Sequence, residues 1–412
     1  MGGRVEIVTF GCRLNSHESE ILRKVLEESI KMGVFGGRDV VVFNSCAVTS
    51  EAERQLRQSI RKIRREKGKD ILVGVVGCAV QTDSGAYLKM PEVDFIVGNS
   101  GKLKVESYLT LEKGVISAPD TPSSGHLVIQ QVYEFGNRRR GSVKIQDGCD
   151  NKCTFCITRF ARGRSISAMP TDVLEHVKKL VDLGYREIVL TGVNICDYGN
   201  GLNLDVNLGK LVGMLIRKTS LERLRLSSLD PAALDPDLNE QLKYEKRLMP
   251  HLHLSLQSGN DTILRRMGRR HNRNDVFRLC KNILDTRPEV IFGADLIAGF
   301  PTETENMHKD SISIVEELPI TYGHIFPYSS RPGTGAASMP QISRDIKKER
   351  ARQLRKVATA NLLRLRKSLV NTEQKVFVET SSLGRLENYL QVSLEGDYSG
   401  DIGNIVVTHI YR

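Results

Sequence analysis

The sequence predicts an α/β protein in three parts: an N-terminal parallel α/β domain, a central full or partial (β/α) barrel, and a short β-rich module at the C-terminus. Two observations support this fold class. Short apolar runs alternate with helical stretches near the start of the chain and again from Ser142 onward, which is typical of parallel sheets. After one long helical stretch, only short strand-like runs and glycine turns remain.

The first domain, residues 1–115, contains three predicted buried strands, and helical stretches follow the first two. The strands are VEIVTF at 5–10, DVVVFN at 39–44 and ILVGVVG at 71–77. A cysteine follows the end of each strand: Cys12, Cys46 and Cys78. Because loops at the carboxyl ends of parallel strands converge, we expect these distant cysteines to meet at one point. The alternative is that the three cysteines stand at strand ends by chance, as small residues without a shared function.

Residues 116–140 are predicted to be a linker, because the segment is polar and contains glycine, serine and proline. The central domain, residues 141–370, then shows six or so candidate strands. They are SVKIQDG at 142–148, EIVLTGVN at 187–194, RLRLSSL at 223–229, HLHLSLQSG at 251–259, VIFGADLIAGF at 290–300 and YGHIFPYSS at 322–330. Helices between several of them, such as 171–183, favour a barrel whose chemistry lies at the carboxyl ends of the strands.

The chain ends in a long basic helix and a small β-rich module. Residues 343–370 form one helical pattern that carries ten Lys or Arg residues, and residues 371–412 contain strand-like runs with glycine turns. A charged helix is usually a solvated face. Beside a β-rich module on a positive chain, it is also a candidate RNA-binding element.

The composition favours a nucleic-acid partner and no membrane association. The 60 Lys and Arg residues against 49 Asp and Glu give a net charge of +11, which favours phosphate-bearing partners, although a generally basic surface is the alternative. The sequence has no apolar stretch of about 18 residues and no signal-like start, so we predict a cytoplasmic protein. In that reducing compartment the eight cysteines are expected to serve metal binding, catalysis or burial.

Three of the cysteines, Cys149, Cys153 and Cys156, stand close together in GCDNKCTFCI. A structural zinc site takes four protein ligands, and no Cys or His follows closely enough to complete a local tetrahedron. A 4Fe-4S cluster held by only three thiolates instead keeps one iron open to a substrate or cofactor. The loop is therefore a candidate iron–sulfur site with an open coordination position.

The spacing CxxxCxxC just after the first barrel strand resembles the motif of the radical S-adenosylmethionine (SAM) superfamily. The resemblance implies that the amino and carboxylate groups of SAM chelate the open iron, and that the reduced cluster cleaves SAM to a 5′-deoxyadenosyl radical. It also implies that residues at the strand ends contact SAM, although the same residues could be ordinary turn residues. The cofactor-binding candidates are the loop residue Phe155 and the strand-end residues Thr191, Gly192, Asn194, Ser228, Gln257 and Gly299.

Nearly the whole chain resembles the radical SAM methylthiotransferases. The motifs that carry this resemblance are TFGCRLNSHESE, NSCAVT, VGCAVQ, GCDNKCTFCITRFARGRSIS, LHLSLQSGNDTILRRMGRR, DLIAGFPTETE and FPYSSRPGTGA. The resemblance implies a second 4Fe-4S cluster on Cys12, Cys46 and Cys78, and no catalytic residue beyond the two clusters. One cluster would generate the radical and the other would carry the sulfur, since no side chain inserts sulfur into an unactivated C–H bond. It also implies a C-terminal TRAM domain, for which about 41 residues is short.

The opening TFGCRLNSHESE is most similar to family members that modify threonylcarbamoyladenosine in tRNA, with Arg13 and Leu14 as the discriminating residues. The resemblance implies the tRNA anticodon stem-loop as partner, an external electron donor, a sulfur source, and no DNA. The alternatives are isopentenyladenosine in tRNA, an aspartate of a ribosomal protein, or a non-enzymatic iron–sulfur protein that binds RNA.

Several residues depart from the family or have no assigned role. Asp230 stands where relatives usually carry Glu, and Cys196 stands where glycine is common. Cys280, in a helical stretch, is expected in the core. Arg162 and Arg164 either contact the carboxylate of SAM or the substrate, or form a simple surface pair.

The histidines include His251 and His253, which alternate along one strand, so one of them is expected to point into the barrel. A packed or hydrogen-bonded role is favoured over metal binding.

Overall fold

A computed structural model describes residues 3–109, 125–135, 140–395 and 402–408. Its first part is a four-stranded parallel sheet with the strand order β1-β2-β3-β4. The elements are β1 (Val5–Thr9), α1 (Arg13–Lys31), β2 (Val40–Ser45), α2 (Ser50–Lys67), β3 (Leu72–Gly77), α3 (Cys78–Thr82), α4 (Ser84–Leu88), β4 (Phe95–Val97) and α5 (Glu106–Leu109). The predicted parallel α/β unit is confirmed, and it has a fourth strand too short to be recognised from its pattern.

Burial on both faces explains the sequences of the two central strands. Every position of β2 and β3 is buried, so both strands are runs of mainly valine rather than alternating patterns. Gly74 is required in β3, because a Cβ there would lie 2.2 Å from the ring of Phe95. Helix α2 begins where the Thr49 side chain accepts a hydrogen bond from the Ala52 N–H, and it ends at Gly68, whose φ is 72°.

The central part contains six parallel strands in chain order. Two sheets, β5-β8-β9 and β10-β11-β12, are joined by parallel bridges between Leu224 and Leu248 and between Leu229 and Leu254. The elements are β5 (Arg140–Lys144), β6 (Gln146–Asp147), α6 (Thr158–Arg162), β7 (Ile166–Ser167), α7 (Pro170–Asp182), β8 (Glu187–Thr191), α8 (Leu208–Lys218), β9 (Arg223–Leu226), α9 (Pro236–Tyr244), β10 (His251–Gln257), α10 (Asp261–Met267), α11 (Arg273–Leu284), β11 (Ile291–Ala298), α12 (Glu305–Glu317), β12 (Ile320–Pro327) and α13 (Arg344–Leu369). This is the predicted partial barrel.

Side chains alternate between the two faces of the barrel strands. On β8, Ile188 and Leu190 belong to the main hydrophobic core, which also contains apolar side chains of α7 and α8. Glu187 lies on the opposite face and pairs with Arg223 at 2.7 Å. The interior of the barrel is therefore polar, whereas its outer face is packed under helices.

The C-terminal part is an antiparallel sheet with the order β15-β14-β13-β16, formed by β13 (Glu373–Thr380), β14 (Leu383–Leu386), β15 (Gln391–Ser393) and β16 (Ile402–Val406). It packs against the amino ends of the barrel strands. The guanidinium of Arg225 donates to the backbone oxygens of Leu386 and Glu387 at 3.1 and 3.0 Å. The ring of Tyr389 stacks on His251 with 4.7 Å between centroids.

The described part of the predicted linker packs against the barrel. The Leu127 N–H donates to the Ser167 oxygen at 2.9 Å, and Val132 and Phe135 are buried in the main core. Residues 110–124 and 136–139 of this region, and residues 396–401 and 409–412 of the predicted C-terminal module, lie outside the described residues. Within the described ranges, no helix is both long and apolar enough to cross a membrane.

Candidate active site

The loop that carries Cys149, Cys153 and Cys156 lies between β6 and α6 at the carboxyl end of the first barrel strand. Three backbone hydrogen bonds fix it in place. The Cys149 N–H donates to the Gly163 oxygen at 3.1 Å, the Thr154 N–H donates to the Met267 oxygen at 2.9 Å, and the Ala336 N–H donates to the Thr154 oxygen at 2.8 Å. The loop is thus attached both to its own return segment and to the far side of the barrel.

The three thiols of this loop affect one another electrostatically. The pKa of Cys149 is raised to about 11, mainly by burial and in part by the neighbouring thiols of Cys156 and Cys153. Burial also raises the pKa of Cys153, while the guanidinium of Arg269 lowers it. Arg269 Nη1 lies 3.7 Å from Cys153 Sγ, and its Nη2 pairs with Asp230 at 2.9 Å. Arg269, which sequence reasoning missed, therefore places positive charge beside a partly buried thiol.

The other three cysteines follow adjacent parallel strands. Cys12 comes after β1, Cys46 comes after β2, and Cys78 begins α3 directly after β3. The pKa of Cys46 is raised to about 12, mainly by burial and in part by the thiols of Cys78 and Cys12. The structure therefore brings these distant cysteines together at one edge of the sheet, because the strands that precede them are neighbours.

Both groups of thiols suit an iron–sulfur cluster. Each group presents three thiols, and burial raises the pKa of Cys46 in one group and of Cys149 and Cys153 in the other, so a cationic iron is the natural partner that would stabilise their charged form. The remaining two cysteines are engaged elsewhere: Cys280 lies on the fully buried face of α11, and Cys196 Sγ accepts a hydrogen bond from the Asp230 N–H at 3.3 Å. The donor sets thus fit two cubanes with three thiolates each.

Gly11 leaves the space that Cys46 occupies. Its φ is +104°, and a Cβ built on it would lie 2.7 Å from Cys46 Cβ and 2.9 Å from Cys46 Sγ. Gly11→Ala is therefore expected to displace Cys46 and to lower the iron content of the purified protein by about half. Anaerobic iron analysis measures this loss.

Gly33, in the turn after α1, provides a matched control for that substitution. Its φ is +79°, but a Cβ there would meet nothing within 4 Å, so Gly33→Ala introduces backbone strain without a side-chain collision. We expect this variant to retain its iron. Equal iron content in the Gly11→Ala and wild-type proteins would contradict the packing argument.

Five charged side chains, the Glu18 cluster, connect the two groups of cysteines: Glu18, Lys102, Lys144, Asp147 and Arg162. Arg162 donates through Nη1 and Nη2 to the two carboxylate oxygens of Glu18, both at 2.8 Å. Lys102 Nζ lies 2.6 Å from Glu18 Oε2, and Lys144 Nζ lies 2.8 Å from Glu18 Oε1. Arg162 and Lys144 also pair with Asp147.

The Glu18 cluster is buried and strongly coupled. Burial alone would raise the pKa of Glu18, but the charges of Arg162, Lys102 and Lys144 hold it well below its ordinary value. Helix α1, which carries Glu18, starts immediately after Cys12, and Arg162 ends α6, the helix that follows Cys156. The ion pairs therefore connect the segments that adjoin the two cysteine groups.

The structure separates the two arginines whose roles the sequence left open. Arg162 has only 4% of its side chain exposed, and its Nη2 also donates to Asn15 Oδ1 at 2.9 Å. Arg164 is 73% exposed and pairs with Asp150 at 3.3 Å. The surface-pair interpretation thus fits Arg164, whereas Arg162 lies in the junction between the sheet and the barrel.

A second connection runs through two asparagines. The side-chain nitrogen of Asn99 lies 3.3 Å from Cys78 Sγ and donates to the Ala161 oxygen of α6 at 2.7 Å. The side-chain nitrogen of Asn15 donates to the backbone oxygens of Phe10 and Ser45 at 2.7 and 3.0 Å. The two amides therefore hold the ends of β1, β2 and β3, where Cys12, Cys46 and Cys78 lie, against α6, the helix that follows the other cysteine loop.

The predicted SAM-contacting loop after β8 is fixed by a residue that sequence reasoning missed. Gln146 Oε1 accepts hydrogen bonds from the N–H groups of Val193 and Asn194 at 2.9 and 2.8 Å. A Cβ on Gly192 would lie 2.8 Å from the Gln146 backbone oxygen, so a larger residue does not fit there. Thr191 is buried at the end of β8. Proximity to Cys149 in the sequence was the only signal that pointed to Gln146.

The remaining predicted SAM contacts lie at barrel strand ends or beside them. Ser228 is half-buried, and Gln257 has a φ of +68° at an irregularity of β10. Gly299 packs against α13, where a Cβ would lie 2.6 Å from Lys347 Cγ. Phe155 packs on a small hydrophobic cluster around Phe300. Their roles toward SAM stay predictions.

His253 occupies the barrel interior with a carboxylate and a second histidine. Its Nε2 lies 3.0 Å from Asp295 Oδ1, and His324 Nδ1 lies 3.4 Å from the same oxygen. His251 faces the same interior, with its ring centroid 6.4 Å from that of His253, because residues i and i+2 of a strand point to the same side. The expectation that one of the two histidines points inward was therefore too narrow.

Comparison with protein families matches the two halves of this site separately. Residues 143–314 match the radical SAM superfamily, and residues 4–98 match a family described as the uncharacterized protein family UPF0004. The six cysteines described above fall within these two matched segments.

The chain is similar to curated proteins over almost its whole length. It is 42% identical to the threonylcarbamoyladenosine tRNA methylthiotransferase MtaB of Rickettsia prowazekii, covering 95% of this chain and 91% of that protein. It is 32% identical to the MtaB of Bacillus subtilis, covering 98% and 93%. It is 30% identical to the tRNA-2-methylthio-N(6)-dimethylallyladenosine synthase of Ehrlichia canis, covering 93% and 89%.

Among solved structures, the radical SAM methyltransferase TsrM of Kitasatospora setae, with cobalamin and a [4Fe-4S] cluster bound, matches with a TM-score of 0.56. The match covers 82% of this chain and 77% of TsrM at 16% identity, so it supports the fold alone.

Proposed function

The chain belongs to the radical SAM tRNA methylthiotransferases, and we propose that its two cysteine groups form one composite site for the transfer. The enzyme converts threonylcarbamoyladenosine in tRNA to its 2-methylthio derivative, as the 42% identity over 95% of the chain supports. The observation that carries the composite site is the Glu18 cluster, which joins the segment after Cys12 to the segment after Cys156.

Each cysteine group is proposed to hold one 4Fe-4S cluster. Cys149, Cys153 and Cys156 would hold the cluster that binds SAM, and Cys12, Cys46 and Cys78 would hold the second. Bound there, the clusters and SAM supply the radical and sulfur chemistry that side chains do not provide. The nearby positive charge of Arg269 and Arg162 favours an anionic cluster at both positions, and thiolate ligation to iron would offset the burial that raises the pKa of Cys46, Cys149 and Cys153.

The chain's own residues position these groups. Gln146 holds the backbone of residues 191–194 beside the first cysteine loop, so that Thr191, Gly192 and Asn194 can face the methionyl group of SAM. The Glu18 cluster and Asn99 keep the edge of the N-terminal sheet against α6. These contacts would hold the two cysteine groups in a fixed relation to each other.

We propose that the tRNA approaches through its anticodon stem-loop. The net charge of +11 suits phosphate binding, and both α13 and the C-terminal sheet, the TRAM candidate, are available for it. An electron donor and a sulfur source from outside the chain complete the proposed reaction in the cytoplasm. The proposed domain limits remain residues 1–115, 116–140, 141–370 and 371–412.

Isopentenyladenosine in tRNA is the second candidate substrate. The similarity that favours it is the 30% identity to the dimethylallyladenosine synthase of Ehrlichia canis, against 42% for the threonylcarbamoyladenosine enzyme of Rickettsia prowazekii.

Deletion of the gene is expected to remove 2-methylthio-threonylcarbamoyladenosine from cellular tRNA, because the enzyme makes that nucleoside. Liquid chromatography with mass spectrometry of tRNA nucleosides measures the loss, and a plasmid copy should restore the product. An unchanged amount of this nucleoside, or loss of the isopentenyl derivative instead, would refute the assignment.

A further inference from the structure

A cavity of about 490 Å³ lies between α1, the barrel strands β5 and β8, and the C-terminal sheet. Three of its lining residues link it to features described above. Arg13 directly follows Cys12, Thr191 belongs to the predicted SAM-contacting loop, and Tyr389 belongs to the C-terminal sheet. The cavity therefore extends from the residue after a proposed cluster ligand to a proposed SAM contact.

The ionisable groups that line this cavity are almost fully paired, with one exception. Burial lowers the pKa of His17 to about 3, so its ring is neutral. Arg140 pairs with Glu187 and, at 2.8 Å, with Glu379. Arg13 is exposed and makes no ion pair with any residue that the structure describes. Its guanidinium is the positive charge that the cavity leaves available for a ligand.

Arg13 is held in a defined orientation by Tyr389. Its Nη2 donates to the Tyr389 hydroxyl at 2.9 Å, and its Cζ lies 5.0 Å from the centroid of that ring. Tyr389 itself has a φ of +74°, a strained conformation that its stacking on His251 helps to hold. The remaining N–H groups of Arg13 form a planar fork that matches a carboxylate.

The other polar groups of the cavity are mainly hydroxyls. Ser16, Thr191 and Thr380 line it, and hydroxyl groups donate or accept hydrogen bonds as the ligand requires. A cation beside several hydroxyls suits a polar, acidic side arm. An apolar arm would cover Arg13 without pairing its charge, which costs binding energy.

We propose that Arg13 binds the carboxylate of the threonylcarbamoyl group and so makes the site specific for an acidic side arm. This inference rests on the proposed function, since it places that substrate's side arm in the cavity. Arg13 acts here as a specificity residue: it binds the substrate away from the carbon that receives the sulfur.

The test compares two anticodon stem-loops, one with threonylcarbamoyladenosine and one in which the threonine carboxylate is a carboxamide. Binding of each RNA to the reconstituted holoenzyme is measured by fluorescence anisotropy, together with kcat/KM. Wild-type protein is expected to prefer the carboxylate RNA by about 10- to 100-fold, because a charge-assisted hydrogen bond is lost with the amide. Arg13→Gln should bind the two RNAs almost equally.

Arg164→Gln is the matched control, because Arg164 is exposed and lies outside the cavity lining. It should keep the full preference. Each protein is compared with itself on two RNAs, so a loss of iron that weakens both equally leaves the ratio unchanged.

Retention of the wild-type preference by Arg13→Gln would overturn the role of Arg13. A wild-type enzyme that bound the two RNAs equally would also overturn it. By contrast, a reconstituted wild-type enzyme that forms no methylthio product on the carboxylate RNA would overturn the proposed function itself.

Discussion

Replacement of Cys149, Cys153 and Cys156 together by alanine is expected to abolish both SAM cleavage and methylthio transfer. Loss of one cluster should lower the iron content from about eight to about four atoms per chain, since each cubane holds four. Product formation should fall by at least about a thousandfold, because no side chain replaces the cofactor's chemistry. Iron analysis, detection of 5′-deoxyadenosine and mass spectrometry of the RNA measure the three effects.

Replacement of the other group, Cys12, Cys46 and Cys78, should separate these effects. It should also halve the iron content and abolish product, but reductive cleavage of SAM should persist because the first cluster remains. Cys280→Ala is the control, since this thiol belongs to α11 and is packed in the main hydrophobic core. Loss of SAM cleavage in the Cys12, Cys46 and Cys78 variant, with the other cluster intact, would contradict the division of roles.

Glu18→Gln is expected to destabilise the protein strongly. The substitution removes the carboxylate that pairs with Arg162, Lys102 and Lys144 and leaves three buried cations with the single carboxylate of Asp147. Breaking a buried ion pair from one side typically costs about 3–5 kcal/mol. The apparent Tm should therefore fall by roughly 5–10 °C. Thermal unfolding followed by circular dichroism under anaerobic conditions measures it.

Glu27→Gln tests the same chemical change on the exposed side of α1. It should alter the Tm very little, because an exposed carboxylate remains solvated in either state. A Tm for Glu18→Gln equal to that of Glu27→Gln would show that the Glu18 cluster does not stabilise the junction.

The sequence was most informative where the chemically important residues stand directly after predicted strands. The strand ends that carry Cys12, Cys46 and Cys78 were predictable because the sheet is parallel and its strands follow the chain order. The partial barrel was predictable for the same reason. The short strand β4 was missed, since three residues carry no recognisable period.

The electrostatic junction was not predictable from the sequence. Glu18 and Arg162 stand 144 residues apart, and their pairing depends on how the N-terminal sheet docks on the barrel. The sequence therefore left a surface position open for Arg162, whereas the structure shows that its side chain is buried. Gln146 and Arg269 were missed similarly, because each acts through one side-chain contact that leaves no pattern in the chain.

The central claim is tested most directly by incubating the reconstituted enzyme with SAM, a reductant, inorganic sulfide as the sulfur source and a mixture of anticodon stem-loops. One RNA carries threonylcarbamoyladenosine and the other carries isopentenyladenosine. Mass spectrometry of the digested RNA should show 2-methylthio-threonylcarbamoyladenosine and little methylthiolated isopentenyladenosine. SAM cleavage without either product, or product formed only on isopentenyladenosine, would contradict the account.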